Sequence, residues 1–428
     1  MAASGQIPYY QGTIDLPALV LSHEELARRG SKSGYVDFND PTTVKLITIA
    51  LLKRDFDLDV KLPNDRLCAR VPIRYNYVRW IQELIDTTSP NYTDTYDPKR
   101  IVTGLDIGTG ASAIYTILAL KTRSSWRMCS TDIDERSLSF AKYNLQINDL
   151  ESRALVTQTK PSDPLISLPI LGVEGLQFTM CNPPFFSTDQ EMIDSIAGKG
   201  KGATPHAVCT GISTEMVYPG GDLAFVSRIF EESLKLREKV QWYSSMFGKL
   251  SSANALVHKL RENNVSNYAV SNLWAGGSTR RWAVAWSFGD LRPRHDVARH
   301  WSTERMLDPF PTIFQITIPK AVTVASAIDA HLGSLQLRWS FDPASGTGIG
   351  ITSQNVWSRA FRRQQKKNVE ATEAEVAKEA DKTVALAFKV FMIEEVGVVS
   401  VRWLQGADQV IWESFTGMLK RFVDGIKA

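Results

Sequence analysis

Two groups of residues have the types and spacing to do chemistry. The first is Gly104-Leu105-Asp106-Ile107-Gly108-Thr109-Gly110-Ala111-Ser112. Its glycines suit a backbone that turns sharply at the end of a strand and comes close to a ligand. A Gly-x-Gly turn is by itself also an ordinary strand-to-helix connection. What points beyond that is Asp132, at the tip of the next strand-like run, where a carboxylate can accept hydrogen bonds from both hydroxyls of a ribose. Asp106 is then placed to orient the loop or to meet an amino group of the same ligand. The second group is Asn182-Pro183-Pro184-Phe185, followed by Phe186. An adenine amino nitrogen is a poor nucleophile because its lone pair is delocalised into the ring. Two acceptors, the Asn182 side-chain oxygen and the Pro183 carbonyl, can take its N–H groups and hold the nitrogen in line with an electrophile. The prolines stiffen the turn, and Phe185 offers a ring on which an extruded base can stack.

These groups need a scaffold, and the chain supplies an alternating one. Short apolar runs and helical periods follow each other from about Arg100 to Asp290, the signature of a doubly wound α/β sheet. Ile101 to Ile107, Trp126 to Thr131, Gly175 to Cys181, Gln241 to Met246 and Trp282 to Phe288 read as strands; Ala113 to Leu120, Arg136 to Asn148 and Asp222 to Lys239 read as helices. Asn182 therefore falls at the end of the fourth-strand position, and parallel strands with ligand loops at their carboxyl ends are expected. Residues 1–95 read as an N-terminal helical cap that can contact RNA, with helices over Pro41 to Arg54 and Arg74 to Asp86; Tyr77, Trp80, Ile81 and Leu84 recur at helical spacing in the second. Residues 96–290 form the catalytic domain and 291–308 a linker. Residues 309–428 form an α+β domain with strands at Thr312 to Ile318, Leu335 to Phe341, Gly346 to Thr352, Val384 to Glu394 and Val396 to Leu404. Its helices are expected at Ala321 to His331, Asn355 to Gln365 and Asp408 to Ile426, with an exposed insert from Val369 to Lys382.

Composition narrows the class further. The 428 residues are 43% hydrophobic and 22% charged, the balance of a soluble globular protein. No apolar run is long enough to span a bilayer. Met1 to Gln11 lacks the pattern of a secretory signal, so an intracellular protein is expected. Cys68, Cys129, Cys181 and Cys209 are too scattered for a zinc site or a disulfide framework, and no metal is expected. A net charge of +3 demands no polyanionic partner, so any nucleic-acid footprint must be local.

The glycine turn lacks the third glycine of a nicotinamide site, having Ser112 followed by Ala113 there, and Asp-Ile-Gly-Thr-Gly-Ala resembles the first motif of class I methyltransferases, which use S-adenosylmethionine. With Val71-Pro-Ile-Arg-Tyr-Asn-Tyr-Val-Arg-Trp80, Met180-Cys-Asn-Pro-Pro-Phe-Phe186, Thr210-Gly-Ile-Ser-Thr-Glu215, Gly220-Gly221, Trp242-Tyr-Ser-Ser-Met246 and Arg281-Trp-Ala-Val-Ala-Trp-Ser-Phe288, the chain resembles the methyltransferase-like protein 16 family of RNA adenine-N6 methyltransferases over roughly residues 35–290. The resemblance implies a Rossmann-like fold, S-adenosyl-L-methionine as cofactor and the U6 small nuclear RNA as substrate. Carried over by position, it implies that Arg74, Gly108, Ser112, Asp132 and Asn182 contact the cofactor, beside Asp106 and Gly110 of the turn. Arg74 would take the methionine carboxylate. The family often has Glu in place of Asp132, and Thr157 to Gly172 stands where the family has a mobile gating loop, although Lys160-Pro161-Ser162-Asp163 does not match it.

For RNA the candidates are Lys199 and Lys201 in the loop after the catalytic tetrapeptide, Arg280 and Arg281 before the last strand, and Arg362, Arg363, Lys366 and Lys367 on the helix after Asn355. The C-terminal order of elements is compatible with the kinase-associated-1-like RNA-binding module found downstream in eukaryotic members of that family, which favours a eukaryotic, nuclear protein over a bacterial ribosomal RNA enzyme, with the cytoplasm as the lesser alternative. Ribosomal RNA adenine methylation, protein-glutamine methylation and a catalytically idle RNA-binding splicing factor stay open as alternatives.

Overall fold

The computed structural model describes residues 7–12, 14–29, 36–197, 211–276, 280–300, 307–319, 324–367, 383–393 and 397–426. The chain divides into two units. One comprises Met1–Ile85, Tyr96–Gly289 and Arg299–Asp308, the other Asp86–Thr95, Asp290–Ala298 and Pro309–Ala428.

The first unit is built on β1 (Val102–Ile107), β2 (Trp126–Asp132), β3 (Ala154–Gln158), β4 (Leu176–Cys181), β5 (Val240–Phe247), β6 (Asn267–Asn272), β7 (Trp282–Ser287) and the two-residue β8 (Arg299–His300). Their order in the sheet is β3-β2-β1-β4-β5-β7-β6-β8. Pairing is parallel from β3 through β5, and β7 runs antiparallel between β5 and β6. Strand β1 lies at the point where the order reverses, so a crevice opens at its carboxyl end. Leu105 and Ile107 of β1, Val226 and Phe230 of the helix Gly221–Leu236, Tyr243 of β5, Leu256 of the helix Leu250–Glu262 and Trp286 of β7 share one buried core.

Two helices of the N-terminal block carry clear local causes. Pro41–Phe56 starts on Asp40, whose carboxylate accepts from Thr42 N and Thr43 N, both at 3.1 Å, with proline at the first turn. It stops where Asp57 takes a left-handed φ of 47°. In Val71–Thr87 the expected apolar face is real: Tyr77, Trp80, Ile81 and Leu84 are all fully buried, and the Tyr77 hydroxyl meets Ser244 Oγ of β5 at 2.7 Å.

The strands β3 and β6 and the helix Leu250–Glu262 were not legible beforehand. Strand β3 is a half-exposed edge with a mixed pattern, and β6 is wholly buried although its sequence carries Asn267, Ser271 and Asn272. Two of them find partners from later in the chain: Asn267 Nδ2 donates to Gly289 O and Ser271 Oγ pairs with His300 Nδ1, whereas Asn272 Oδ1 has no partner among the described residues.

The second unit carries an antiparallel sheet of β9 (Ile313–Thr317), β10 (Arg338–Asp342), β11 (Thr347–Thr352), β12 (Leu386–Ile393) and β13 (Val398–Gln405), in the order β10-β11-β12-β13-β9. Helices Ala325–Gly333 and Gln409–Ile426 join Phe388, Val390, Val401 and Trp403 in its core, giving the expected α+β domain. The helix expected from Asn355 begins instead at Arg359, because Ser358 Oγ caps Phe361 N at 3.1 Å while Val356 and Trp357 are drawn into the core. The insert from Val369 to Lys382 lies outside the described residues.

The segment read as a linker, 291–308, contributes to both units. It looked aperiodic because its residues serve tertiary contacts. Arg292 is buried with its guanidinium 4.4 Å from the Trp403 ring centroid and its Nε donating to Gly406 O, and Leu291 bridges to Gln405.

Candidate active site

The sheet register assembles the candidate residues. Ile107 pairs with Thr131 on one side and with Cys181 on the other, so Gly108, Asp132 and Asn182 leave three adjacent strands at one edge. Gly108 N and Thr109 N both donate to Thr131 O at 2.9 Å, which fastens the glycine turn to β2. Gly108 and Gly110 hold φ values of 70° and 65°, a region that favours glycine, and a Cβ at either would meet no atom within 4 Å. The turn thus faces open space, as a ligand cradle must. Ser112 is buried in the same turn.

The two acids of this edge differ in surroundings. Asp132 accepts from Gly110 N at 2.8 Å through one oxygen and from Asp134 N at 2.9 Å through the other, which leaves lone pairs on both oxygens for a ligand. Burial raises its pKa, and the backbone N–H groups of Asp134 and Gly110 oppose the rise. Asp106 is fully buried and pushed up to about 6, by burial first and against the hydroxyls of Thr109 and Thr116, which donate at 2.7 and 3.1 Å. Both hydroxyls fall on Oδ2, and Oδ1 has no partner among the described residues.

Arg74 lies on the Val71–Thr87 helix. Its Nη1 contacts the Tyr115 hydroxyl at 3.1 Å and Met246 Sδ at 2.9 Å, and its guanidinium lies 5.6 Å from the Tyr115 ring centroid. No carboxylate pairs with it among the described residues, so its charge is available to an anionic group. The residues that hold it, Tyr115 and Met246, were not singled out as positioning groups in the sequence, although Met246 closes the quoted Trp242-Tyr-Ser-Ser-Met run.

Beyond β4 the tetrapeptide forms a partly buried turn, with Pro183 buried and Asn182, Pro184, Phe185 and Phe186 half-buried. The Asn182 Oδ1 atom is buried and has no hydrogen-bond partner among the described residues. Phe186 is tied down by its N–H to Met216 O at 3.0 Å and its carbonyl from Tyr218 N at 2.9 Å. Phe185 is wedged beside Gly248, where a Cβ would come within 2.8 Å of the ring, and the Arg281 guanidinium lies 5.3 Å from its centroid. Burial, then the charges of Arg74 and Arg70, push the Arg281 pKa down to about 10. Arg281 is therefore a member of the site's rim, whereas Arg280 is exposed.

Several supports were missed by sequence reasoning. Glu215 Oε2 accepts from Leu67 N at 2.9 Å and Ile212 N at 3.1 Å, linking the N-terminal block to the loop behind the tetrapeptide. Arg66 reaches Asp134 at 2.9 Å, and Asp222 accepts from Gly248 N at 3.1 Å and Ser252 Oγ at 2.8 Å, which steadies the glycine beside Phe185. Only Glu215 carried a signal, as the last residue of the quoted Thr210-Gly-Ile-Ser-Thr-Glu215 run. The loop Thr157 to Gly172 is held from the helix Gly221–Leu236, where Glu232 accepts from Leu165 N and Ile166 N at 3.0 and 2.9 Å and Arg228 donates to Pro161 O and Asp163 O.

Lys199 and Lys201 lie outside the described residues. Arg362 and Arg363 are exposed on the helix Arg359–Lys367 of the second unit; the side chains of Lys366 and Lys367 are outside the description. Among the described residues no group of three or more His, Cys, Asp or Glu side chains is placed to hold a metal, and no helix is long and apolar enough to cross a membrane.

A doubly wound sheet with a glycine turn after β1, an acid at the end of β2 and Asn-Pro-Pro-Phe after β4 defines a Rossmann-like methyltransferase domain. Residues 8–290 match the profile of a family described as RNA methyltransferase. The chain is 34% identical over 400 residues to the U6 small nuclear RNA (adenine-(43)-N(6))-methyltransferase of Schizosaccharomyces pombe, covering 92% of this chain and 97% of that protein. It is 36% identical over 258 residues to the RNA N(6)-adenosine-methyltransferase METTL16 of Homo sapiens, covering 60% of this chain and 44% of the human protein. Among solved structures, the human METTL16 catalytic domain in complex with MAT2A 3'UTR hairpin 6 is similar at a TM-score of 0.56 and 33% identity, covering 65% of this chain and 94% of that one. The N-terminal domain of human METTL16 in complex with SAH is similar at 0.52 and 31%, covering 65% and 95%. The chain belongs to this family of RNA methyltransferases, the one that includes METTL16.

Proposed function

We propose that the chain forms N6-methyladenosine in RNA, with S-adenosyl-L-methionine as methyl donor and U6 small nuclear RNA as substrate, and that it works in the nucleus. The names of its relatives in fission yeast and human support the reaction and the RNA class. The observation that carries the reading is the buried, unpartnered Asn182 Oδ1 at the end of β4. A buried acceptor without a donor costs roughly 1–3 kcal/mol, and such a group is retained where a ligand supplies the donor.

The residues present fit the cofactor. The turn at Gly108 and Gly110 opens to space, Asp132 keeps lone pairs for ribose hydroxyls, Asp106 has an unpartnered oxygen for an N–H group, and Arg74 has an uncommitted charge for a carboxylate. When bound, S-adenosylmethionine supplies a methyl group made electrophilic by a sulfonium. Asn182 Oδ1 and the Pro183 carbonyl accept the two N–H groups of the target amine and orient its lone pair, and they favour the positive charge that develops on nitrogen. Pro184 stiffens the turn, and Phe185 and Phe186 support the extruded base, with Phe185 confined between Gly248 and Arg281.

For RNA, Arg280 and Arg281 serve the rim of the site, Lys199 and Lys201, which follow the tetrapeptide in sequence, serve phosphates, and so do Arg362, Arg363, Lys366 and Lys367 of the C-terminal domain, 309–428. The division of labour is an RNA-contacting cap in 1–95, methyl transfer in 96–290 and RNA binding after 308. The test is incubation of the full chain with a U6 transcript and labelled cofactor, followed by nucleoside analysis. Label in N6-methyladenosine, lost when a single adenine is replaced, is expected; label in a different nucleoside, or none at all, overturns the proposal.

A further inference from the structure

Within the second unit the five-stranded sheet uses one face for its core, and the other face lines a cavity of about 530 Å³. That volume falls inside the roughly 300–1,000 Å³ range of small-ligand sites. Lys389 of β12 sits in register with Arg402 of β13, Arg402 with Ile313 of β9, and Phe391 of β12 with Thr347 of β11, so the sheet contributes one continuous patch. Asp94, Arg294 and Asp296 line the cavity from the segments 86–95 and 290–298 of the same unit.

The lining is costlier than a structural filler requires. Arg402, only 3% exposed, donates to Asp94 and to Thr87 O at 2.8 Å, and its buried Nε finds no acceptor among the described residues. Lys389 reaches Asp94 at 3.3 Å and Arg294 grips Asp296 at 2.6 and 2.9 Å. Three side-chain cations against two carboxylates leave an excess positive charge, and Asp94 holds two of the cations in place. Lys389 and Arg294 keep side-chain exposures of 25% and 37%, so a ligand can reach them. Beside these charges stand the half-buried ring of Phe391 and the apolar side chain of Ile313. Cations next to an aromatic face match a phosphate joined to a base. Unstacked bases are the parts of an RNA that proteins read, commonly on aromatic rings.

We infer that this cavity holds one unstacked nucleotide of the RNA substrate, its phosphate between Lys389 and Arg294 and its base against Phe391; this rests on the reading of the substrate as RNA. It gives the second unit a defined binding site in addition to the exposed arginines of the Arg359–Lys367 helix.

The experiment uses the full chain with a U6 transcript and two variants that preserve volume, Phe391→Leu and Lys389→Met. RNA affinity is read by fluorescence anisotropy across a salt series, with thermal unfolding as the control for folding. Phe391→Leu should weaken binding about ten-fold, the scale of one base–aromatic stack. Lys389→Met should weaken binding and lower the slope of log affinity against log salt by about one, with Lys389→Arg restoring it. Cofactor affinity should stay at the parental value in both. Parental RNA affinity and salt slope in folded Phe391→Leu and Lys389→Met overturn the inference. Failure of the parent chain to methylate RNA would sink the functional reading alone, because the binding measurements need no turnover.

Discussion

Asn182→Ala separates two roles that usually fall together, stability and catalysis. In the free protein Asn182 Oδ1 is buried without a donor, so its removal breaks no hydrogen bond of that atom and relieves a cost of roughly 1–3 kcal/mol. The loss of packing from a short side chain at a half-buried turn offsets part of that gain. The unfolding midpoint should therefore equal or exceed that of the parent. In the transition state the same atom accepts from an amine that is gaining positive charge, and loss of one preorganised group of this kind costs on the order of 100- to 1,000-fold in rate, about 2.7–4 kcal/mol. RNA affinity rests largely on phosphate contacts elsewhere and should change little. The assay is single-turnover methylation at saturating RNA and cofactor, together with thermal unfolding and RNA affinity on the same preparations. A parental rate in Asn182→Ala would refute the mechanism. A rate loss accompanied by a marked fall in the unfolding midpoint would refute the argument from the unpartnered oxygen.

Two further outcomes follow from the acids at the carboxyl edge. Asp106 holds its proton to about pH 6 in the folded chain, whereas an unfolded aspartate releases it near pH ~4. The native state thus binds more protons between those values, so stability falls as pH rises through that window and is flat above it, by roughly 3 kcal/mol for a shift of about two units. Asp106→Asn should flatten the decline in urea-unfolding free energy between pH 4.5 and pH 7.5; an unchanged decline would mean that Asp106 does not cause it. Asp132→Ala should weaken S-adenosylmethionine binding by roughly 1.5–3 kcal/mol, the range for hydrogen bonds to a charged group. Because Gly110 N and Asp134 N lose their acceptor as well, the glycine turn should also loosen. Calorimetry giving the parental affinity would remove Asp132 from the cofactor site.

Local rules carried much of the reading. Strands β1, β2, β4, β5 and β7 were legible because their apolar runs end in glycine, acid or proline, and the Val71–Thr87 helix because four large apolar residues repeat at its period. Elements whose cause is tertiary were not legible. Strand β6 buries Asn267 and Ser271, whose side chains bond Gly289 and His300, and residues 291–308 looked like a linker although Arg292 among them answers to Trp403 and Gly406 far along the chain.

The same division holds for the site. The sequence by itself determined the chemistry on offer: a glycine turn, an acid one strand later and an acceptor-rich Asn-Pro-Pro-Phe turn, because residue type and spacing from a strand end are local properties. Which groups have partners was decided only by the tertiary structure. Thr109 and Thr116 both donate to the same oxygen of Asp106, Gly248 just after β5 and Arg281 just before β7 confine Phe185 from places distant in sequence, and Asn182 Oδ1 is left without a donor. Burial and hydrogen-bond satisfaction depend on everything packed around an atom, so they appear only once the sheet has brought those distant residues together.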